Sequence, residues 1–536
     1  MKFKSLTAMI DVSRNAVPKI DQIEHFIDVC AAMGYDSVAL YTEDLYEMPE
    51  YPLFGYMRGK YSGEDLKHLV AYGKEKGITM VPCIEILAHL QHIFRWDEFV
   101  KYRDYDDILL VDDERTYQLI DCMLKTMREI YETDYMVLCC DESEMLGRGK
   151  FLNQHGYEDA KSIFFRHVNR CIEMAKEYGF TPNLDYDMYF TYVAGTSRVE
   201  DATPYYDQIT DTLPEGVILS YWDYAPSVKR ATTMLEACGR FGAPVGFITS
   251  VMNWGGVVPH NAQAMEWMKN GLLPCLEGNV ERIIVSFWGD DGGECSLFSC
   301  LPSWYYAAQL CHGVTDMDTI KAGFKKLFGM EFDDFSKLDY GVDYTGEPNF
   351  FSEKAMIFND PFMGIYDIHV PKDREAVKVR FRDHADELRG LAQGRYGYLF
   401  DTVAALCDLT SVKMDLGIRT REIYEKRDMS VLAALIEDYG EAITLAETFY
   451  EKFRDMWLRE RKANGFEVQT IRYGGLITRL RDCRLRLLDL AEGRIDRIEE
   501  LEEPVIENGT GQGLKDKKYG MIATVNTLTQ YNFYGF

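Results

Sequence analysis

Asp141 and Glu142 stand side by side at the end of an apolar run, YMVLCCD (135–141). Two adjacent carboxyl groups can divide labour, one holding a proton while its neighbour stays charged. The dipeptide alone carries no weight. It recurs at 97–98, 113–114 and 386–387 in a chain with 87 acidic residues, so its place at a strand end is what singles it out. Comparable residues end other apolar runs: Asp11 with Arg14, Glu43 with Asp44, Glu85 followed by His89 and His92, and Asp185 with Asp187. Further along come Trp222, Asp223 and Tyr224, then Trp254, then Trp288 followed by Asp290, Asp291 and Glu294. Carboxylates bind hydroxyls and move protons, and indole rings cover the apolar faces of sugars. Glycosidic cleavage needs a proton donor at the leaving oxygen and a group that stabilises the positive charge developing on the sugar.

The elements that must position these residues alternate regularly. Strands are predicted at 5–12, 37–43, 78–86, 135–141, 181–187, 217–223, 244–250 and 282–289. Amphipathic helices are predicted between them, including 64–77, 115–131, 158–178 and 227–242, with Ile20, Ile23, Ile27 and Cys30 at helical spacing after Pro18. Further helices follow from about 261 and near 297–311. Eight strand-then-helix units imply an α/β fold closed as a (β/α)8 TIM barrel, with its site at the strands' C-terminal ends. A doubly wound open sheet is disfavoured because no glycine-rich phosphate loop occurs. After residue 314 the strand signal fades. A loop-rich stretch is expected at 343–361, then long helical patterns such as Ile477, Leu480, Leu487, Leu488 and Ala491. The expected division is a catalytic barrel at 1–314 and a mainly α-helical C-terminal domain at 315–536.

Composition narrows the partners. The 536 residues are too many for one ordinary core, and 47% hydrophobic with 27% charged residues is globular. A net charge of −28 without a dense basic run argues against nucleic acid. No run reaches the ~18 apolar residues of a membrane span. The 13 cysteines include no C-x-x-C pair, which points away from structural zinc and fits a reducing compartment. Asp11 breaks the first apolar stretch too early for a secretory segment, so a cytoplasmic location is expected.

Taken in order, MIDVSRNAV (9–17), LYTEDLYEMPEYPLFGYMRGKY (40–61), VPCIEILAHLQHIFRW (81–96), CDESEMLGRGK (140–150), DYDMYF (185–190), FWGDDGGECSLFS (287–299) and GFEVQTIRYGGLI (465–477) resemble glycoside hydrolase family 20, the β-N-acetylhexosaminidases. The likeness is to the streptococcal-type subgroup with a helical C-terminal domain. It implies that Glu142 is the general acid/base and that Asp141 orients the substrate's 2-acetamido group. The acetamide oxygen then attacks the anomeric carbon, with retention and without an enzyme nucleophile. This role requires Glu142 to carry a proton near neutral pH. His89 resembles the family's histidine near the acid. Trp222, Trp254 and Trp288 would line the sugar and acetamide pocket, with Tyr224 beside them, and Asp290 and Glu294 would bind hydroxyls. The implied partner is an oligosaccharide or glycoconjugate with a terminal β-linked amino sugar. No metal or cofactor is implied, and the resemblance leaves room for a homodimer.

The sequence also departs from the family pattern. The usual arginine five residues before the strand-one aspartate is Leu6. The usual His-x-Gly before the acid pair reads Val137-Leu138-Cys139-Cys140, and the usual tryptophan two residues before Asp187 is Asp185. Asp185, Glu43 or Asp44 could take over hydroxyl binding. Two rivals stay open: a glycosidase of altered sugar specificity that no longer needs the acetamide, and a silent sugar-binding protein.

Overall fold

The computed structural model describes residues 2–342, 352–364, 367 and 370–504. Eight parallel strands close into a barrel: Ser5–Asp11, Ser37–Thr42, Thr79–Glu85, Tyr135–Cys139, Thr181–Asp185, Ile218–Trp222, Val245–Ser250 and Val280–Phe287. The ring closes between the first and eighth strands, where Ser5 pairs with Arg282 and Ile10 with Phe287. The expected α/β barrel is therefore the observed fold.

Side-chain alternation along each strand fills the barrel. Met9, Ala39, Tyr41, Val81, Cys83, Val137, Cys139, Ile218, Ile248 and Ile284 belong to one buried cluster, with Trp222, Tyr224 and Trp288 packed against it. Helices lie between the strands because their apolar stripes recur at helical spacing and their starts are capped. Ser62 and Asp65 form a reciprocal capping box before Gly63–Lys76, and Asp159 and Ser227 cap Ala160–Glu177 and Val228–Gly239.

Two features differ from expectation. The fifth strand stops at Asp185, and Asp187 instead opens the helix Asp187–Ala194. A two-stranded hairpin, Arg103–Tyr105 with Ile108–Leu109, lies between the third and fourth barrel strands. Strands of three and two residues are too short to show a period.

By compactness the chain forms two units. The first comprises residues 1–252, 262–288 and 302–329 and contains the barrel. The second comprises residues 253–261, 289–301 and 330–536. Its long helices are Arg374–Leu391, Gly397–Lys413, Leu416–Lys426, Met429–Glu460 and Phe466–Ala491. Of the stretch expected as loop-rich, 343–351 lies outside the described residues, while Ser352–Phe358 is helical. Phe449, Phe453 and Tyr473 form an aromatic knot inside this unit, with ring centroids 5.3–5.8 Å apart. Among the described residues no helix is long and apolar enough to cross a membrane.

Candidate active site

The fourth barrel strand ends at Cys139, which places Asp141 and Glu142 just beyond it. Glu142 has a left-handed backbone, φ +48°, a conformation that costs energy for a non-glycine residue and persists where surroundings enforce it. Here the Asp187 carboxylate enforces it by accepting the Glu142 amide proton at 2.9 Å. The loop beyond is pinned to the short hairpin. Asp104 accepts from the amides of Gly147 (2.8 Å) and Phe151 (2.6 Å). A side chain at Gly149 would meet the Asp104 carbonyl at 2.1 Å, so only glycine fits there.

His89 follows the third strand, also in a left-handed conformation at φ +58°. Its amide donates to Asp107 Oδ2 at 3.1 Å. Its Nε2 lies 3.5 Å from Asp141 Oδ2 and 3.7 Å from Glu142 Oε2. Burial alone would favour neutral imidazole, but the Asp141 and Glu85 charges raise His89 well above its ordinary value. Burial likewise opposes the Asp141 charge, and the His89 contact outweighs it, holding Asp141 below the ordinary carboxylate value. These opposite shifts favour the charged form of each partner in the His89–Asp141 contact, which lies beside Glu142, whose side chain is 36% exposed.

Beneath this pair the floor is acidic. Glu85 is fully buried, and the Tyr41 hydroxyl donates to its Oε1 at 2.7 Å. Burial and then the Asp141 charge push Glu85 well above the ordinary value. The same causes act on Asp185 and Asp187, raising the former well above its ordinary value and the latter to about 8. A second acidic group sits at the ends of strands one and two. Arg14 Nε donates to Glu43 Oε1 at 2.7 Å and lies 4.0 Å from Asp11 Oδ2. Burial outweighs Arg14 and pushes Glu43 up to about 7.

The aromatic wall is continuous. Trp222 and Tyr224 stack with centroids 5.4 Å apart and planes 19° apart. Trp288 Nε1 donates to Tyr224 Oη at 2.9 Å, and the Trp288 ring meets Tyr41 edge-on at 5.0 Å. Tyr41 therefore joins the aromatic wall to the acidic floor. Asp223, by contrast, is occupied by Arg230 at 2.6 and 2.9 Å.

The barrel thus brings together Asp141, Glu142, His89, Asp185 and Asp187 on one side and Trp222, Tyr224 and Trp288 on the other. Trp254, Asp290 and Glu294 belong to the second unit. There Asp290 opens a short 3-10 turn. The fully buried Glu294 carboxylate lies 2.8 Å from Lys354 Nζ and 3.1 Å from Arg472 Nη1. Leu6 is fully buried, so the position of the family's usual arginine offers no sugar contact. Sequence reasoning missed Tyr41, Cys139 and Asp107. The first two share the inward parity of Glu43 and Asp141 on their strands, a signal that was present. Asp107 is set by the loop's path and left none.

Two family models match the chain. The model described as glycosyl hydrolase family 20, catalytic domain, covers residues 3–223, and the glycoside hydrolase 20C C-terminal domain covers 333–519. A β-hexosaminidase of Vibrio furnissii is 25% identical over 167 residues, 27% of this chain and 26% of that protein. A β-hexosaminidase subunit beta of Entamoeba histolytica is 26% identical over 156 residues, 25% of this chain and 27% of that protein. The matches thus span about a quarter of the length of these curated relatives. The solved β-N-acetylhexosaminidase of Bacteroides fragilis superposes with a TM-score of 0.50 at 18% identity, over 64% of this chain and 75% of that one, a likeness of fold.

Proposed function

Because the chain belongs to glycoside hydrolase family 20, we propose that it is an exo-acting, retaining β-N-acetylhexosaminidase that removes terminal β-GlcNAc or β-GalNAc by substrate-assisted catalysis. The observation that carries this reading is geometric: His89 Nε2 lies between the two carboxyls, 3.5 Å from Asp141 Oδ2 and 3.7 Å from Glu142 Oε2, just beyond the end of the fourth barrel strand.

An ionised Asp141 accepts the acetamide N–H and turns the acetamide oxygen toward the anomeric carbon. That oxygen forms the new bond to the anomeric carbon while the glycosidic bond breaks. Glu142 donates its proton to the leaving oxygen. Water then opens the cyclic intermediate, giving its proton back to Glu142 and restoring the β configuration. The Trp222, Tyr224 and Trp288 wall supports an apolar seat for the acetyl methyl group. The Asp187 clamp on the Glu142 amide keeps the acid in place through both steps.

The test is hydrolysis of paired nitrophenyl β-glycosides of GlcNAc, GalNAc, glucose and galactose, together with inhibition by a thiazoline mimic of the cyclic intermediate. Turnover confined to the N-acetylated pair, with thiazoline inhibition, is the expected result. Equal rates on glucoside and N-acetylglucosaminide would overturn acetamide participation and favour the altered-specificity rival. A protein that binds but never turns over would be the silent one.

A further inference from the structure

We propose that the barrel floor contains an inhibitory site for a thiophilic divalent cation, Zn2+ being the fitting ion, formed by Glu85, Cys139 and Asp141. One donor atom from each of these residues lies within 4.8 Å of the other two. The three come from adjacent strand ends, Glu85 being in register with Cys139 across the third and fourth strands. A thiol with two carboxylates selects zinc over magnesium or calcium, which want oxygen donors alone.

A second observation concerns the buried end of Glu85. Glu85 is fully buried and its Oε1 is taken by Tyr41, but among the described residues its Oε2 has no hydrogen-bond partner. A buried carboxyl oxygen without a donor is costly, and a metal ion satisfies it. Zinc–ligand bonds of about 2.0–2.3 Å require the donors to close in by roughly 1 Å, within the reach of small side-chain rotations. The Asp141 side chain is 19% exposed, so an ion can enter from the mouth. On binding, Cys139 releases its thiol proton and Glu85 its carboxyl proton to solvent, and the two coordinate as thiolate and carboxylate. Three protein ligands leave the fourth position to water.

The functional consequence follows from the choice of ligands. An Asp141 oxygen on zinc no longer accepts the acetamide N–H, so occupancy blocks turnover. The ion is thus an inhibitor, distinct from any cofactor.

The experiment titrates ZnCl2 against the full-length protein while following aryl β-N-acetylglucosaminide turnover, each variant being referred to its own metal-free rate. The expected result is inhibition by zinc, reversed by a chelator, with no effect of MgCl2. Cys139→Ser should raise the half-inhibiting zinc concentration by at least about tenfold. Absorption spectra with Co2+ supply a readout independent of activity. A thiolate-to-cobalt charge-transfer band is expected for the wild type and not for Cys139→Ser. If Cys139→Ser does not fold, Glu85→Gln takes its place and should weaken both effects. Identical zinc sensitivity in wild type and variants, or a cobalt spectrum without the thiolate band, overturns the site. A thiolate band in a protein that turns over no glycoside would leave the metal site standing and count against the hydrolase reading alone.

Discussion

Glu85 and Asp185 in the barrel, and Glu294 and Asp360 in the helical unit, are all carboxyls withdrawn from water, yet their surroundings push them in opposite directions. Around Glu85 and Asp185 the neighbours are other carboxylates, a phenol, a thiol and His89, whose pull does not prevail, and both groups are raised well above the ordinary value. Glu294 is clasped by Lys354 and Arg472, and Asp360 by Arg479 at 2.7 and 3.2 Å, and both are lowered. Burial opposes the charge in all four cases, so the partner decides the sign. The helical unit spends its buried acids on holding helices together. The barrel mouth leaves its acids short of cations, so their neutral form is favoured, and carboxyls perturbed in this way mark functional sites more often than structural ones.

The contrast can be broken most directly at the acid itself. Glu142→Gln should lower kcat on an aryl β-N-acetylglucosaminide by roughly 10²–10⁴-fold while leaving the urea midpoint in place. A comparable loss of stability would mean that Glu142 is a structural group. In the helical unit the roles reverse. Glu294→Gln leaves Lys354 and Arg472 buried without their carboxylate and should cost about 3–5 kcal/mol in urea unfolding. Glu85→Gln, made where burial and Asp141 already push the native carboxyl toward its neutral form, should stay within about 1 kcal/mol of wild type. Equal destabilisation by the two variants would erase the distinction.

Stability against pH sharpens it further. Glu43 is raised to about 7 from an ordinary 4.5. Its folded form therefore holds a proton that the unfolded chain has lost. That contribution is complete below about 4.5 and disappears as pH rises through about 7. Between those values wild type should lose up to about 3 kcal/mol relative to Glu43→Gln, read from urea midpoints across pH. Asp360 works the other way. Its lowered value gives stability that is present above the ordinary 3.8 and lost as pH falls, so Asp360→Asn should flatten the acid limb. The smallest effect is expected at the wall. Trp288→Phe keeps the ring against Tyr41 but loses the bond to Tyr224, and KM should rise roughly two- to tenfold with little change in kcat. A large fall in kcat would put Trp288 closer to the reacting atoms than to the acetyl seat.

Much of this arrangement could be read before the fold was seen, for a physical reason. Parallel barrel strands are buried on both faces, so they appear as apolar runs, and the first polar residue after each run marks the mouth. Asp11, Glu43, Glu85, Asp141, Asp185 and Trp222 were all legible in this way. What escaped was whatever depends on partners distant in sequence. Nothing local says that Asp187 would take the Glu142 amide, or that Asp107 would hold the His89 backbone. Nor does the sequence around Tyr41 reveal that it links Glu85 to Trp288. Glu294 shows the same limit. The family resemblance implied hydroxyl binding for it, and its engagement with Lys354 and Arg472 is visible only in three dimensions.

The closing seam between Ser5 and Arg282 joins residues nearly 280 positions apart. Loops of that length close late and slowly, and a chain made from its N-terminus displays seven strands before the eighth exists to complete them. Tyr41 gains its Trp288 neighbour only at that moment, although Glu85, His89 and Asp141 have long since been synthesised. In refolding, helical circular dichroism should therefore return ahead of turnover, the lag between the two measuring how long the ring waits to shut.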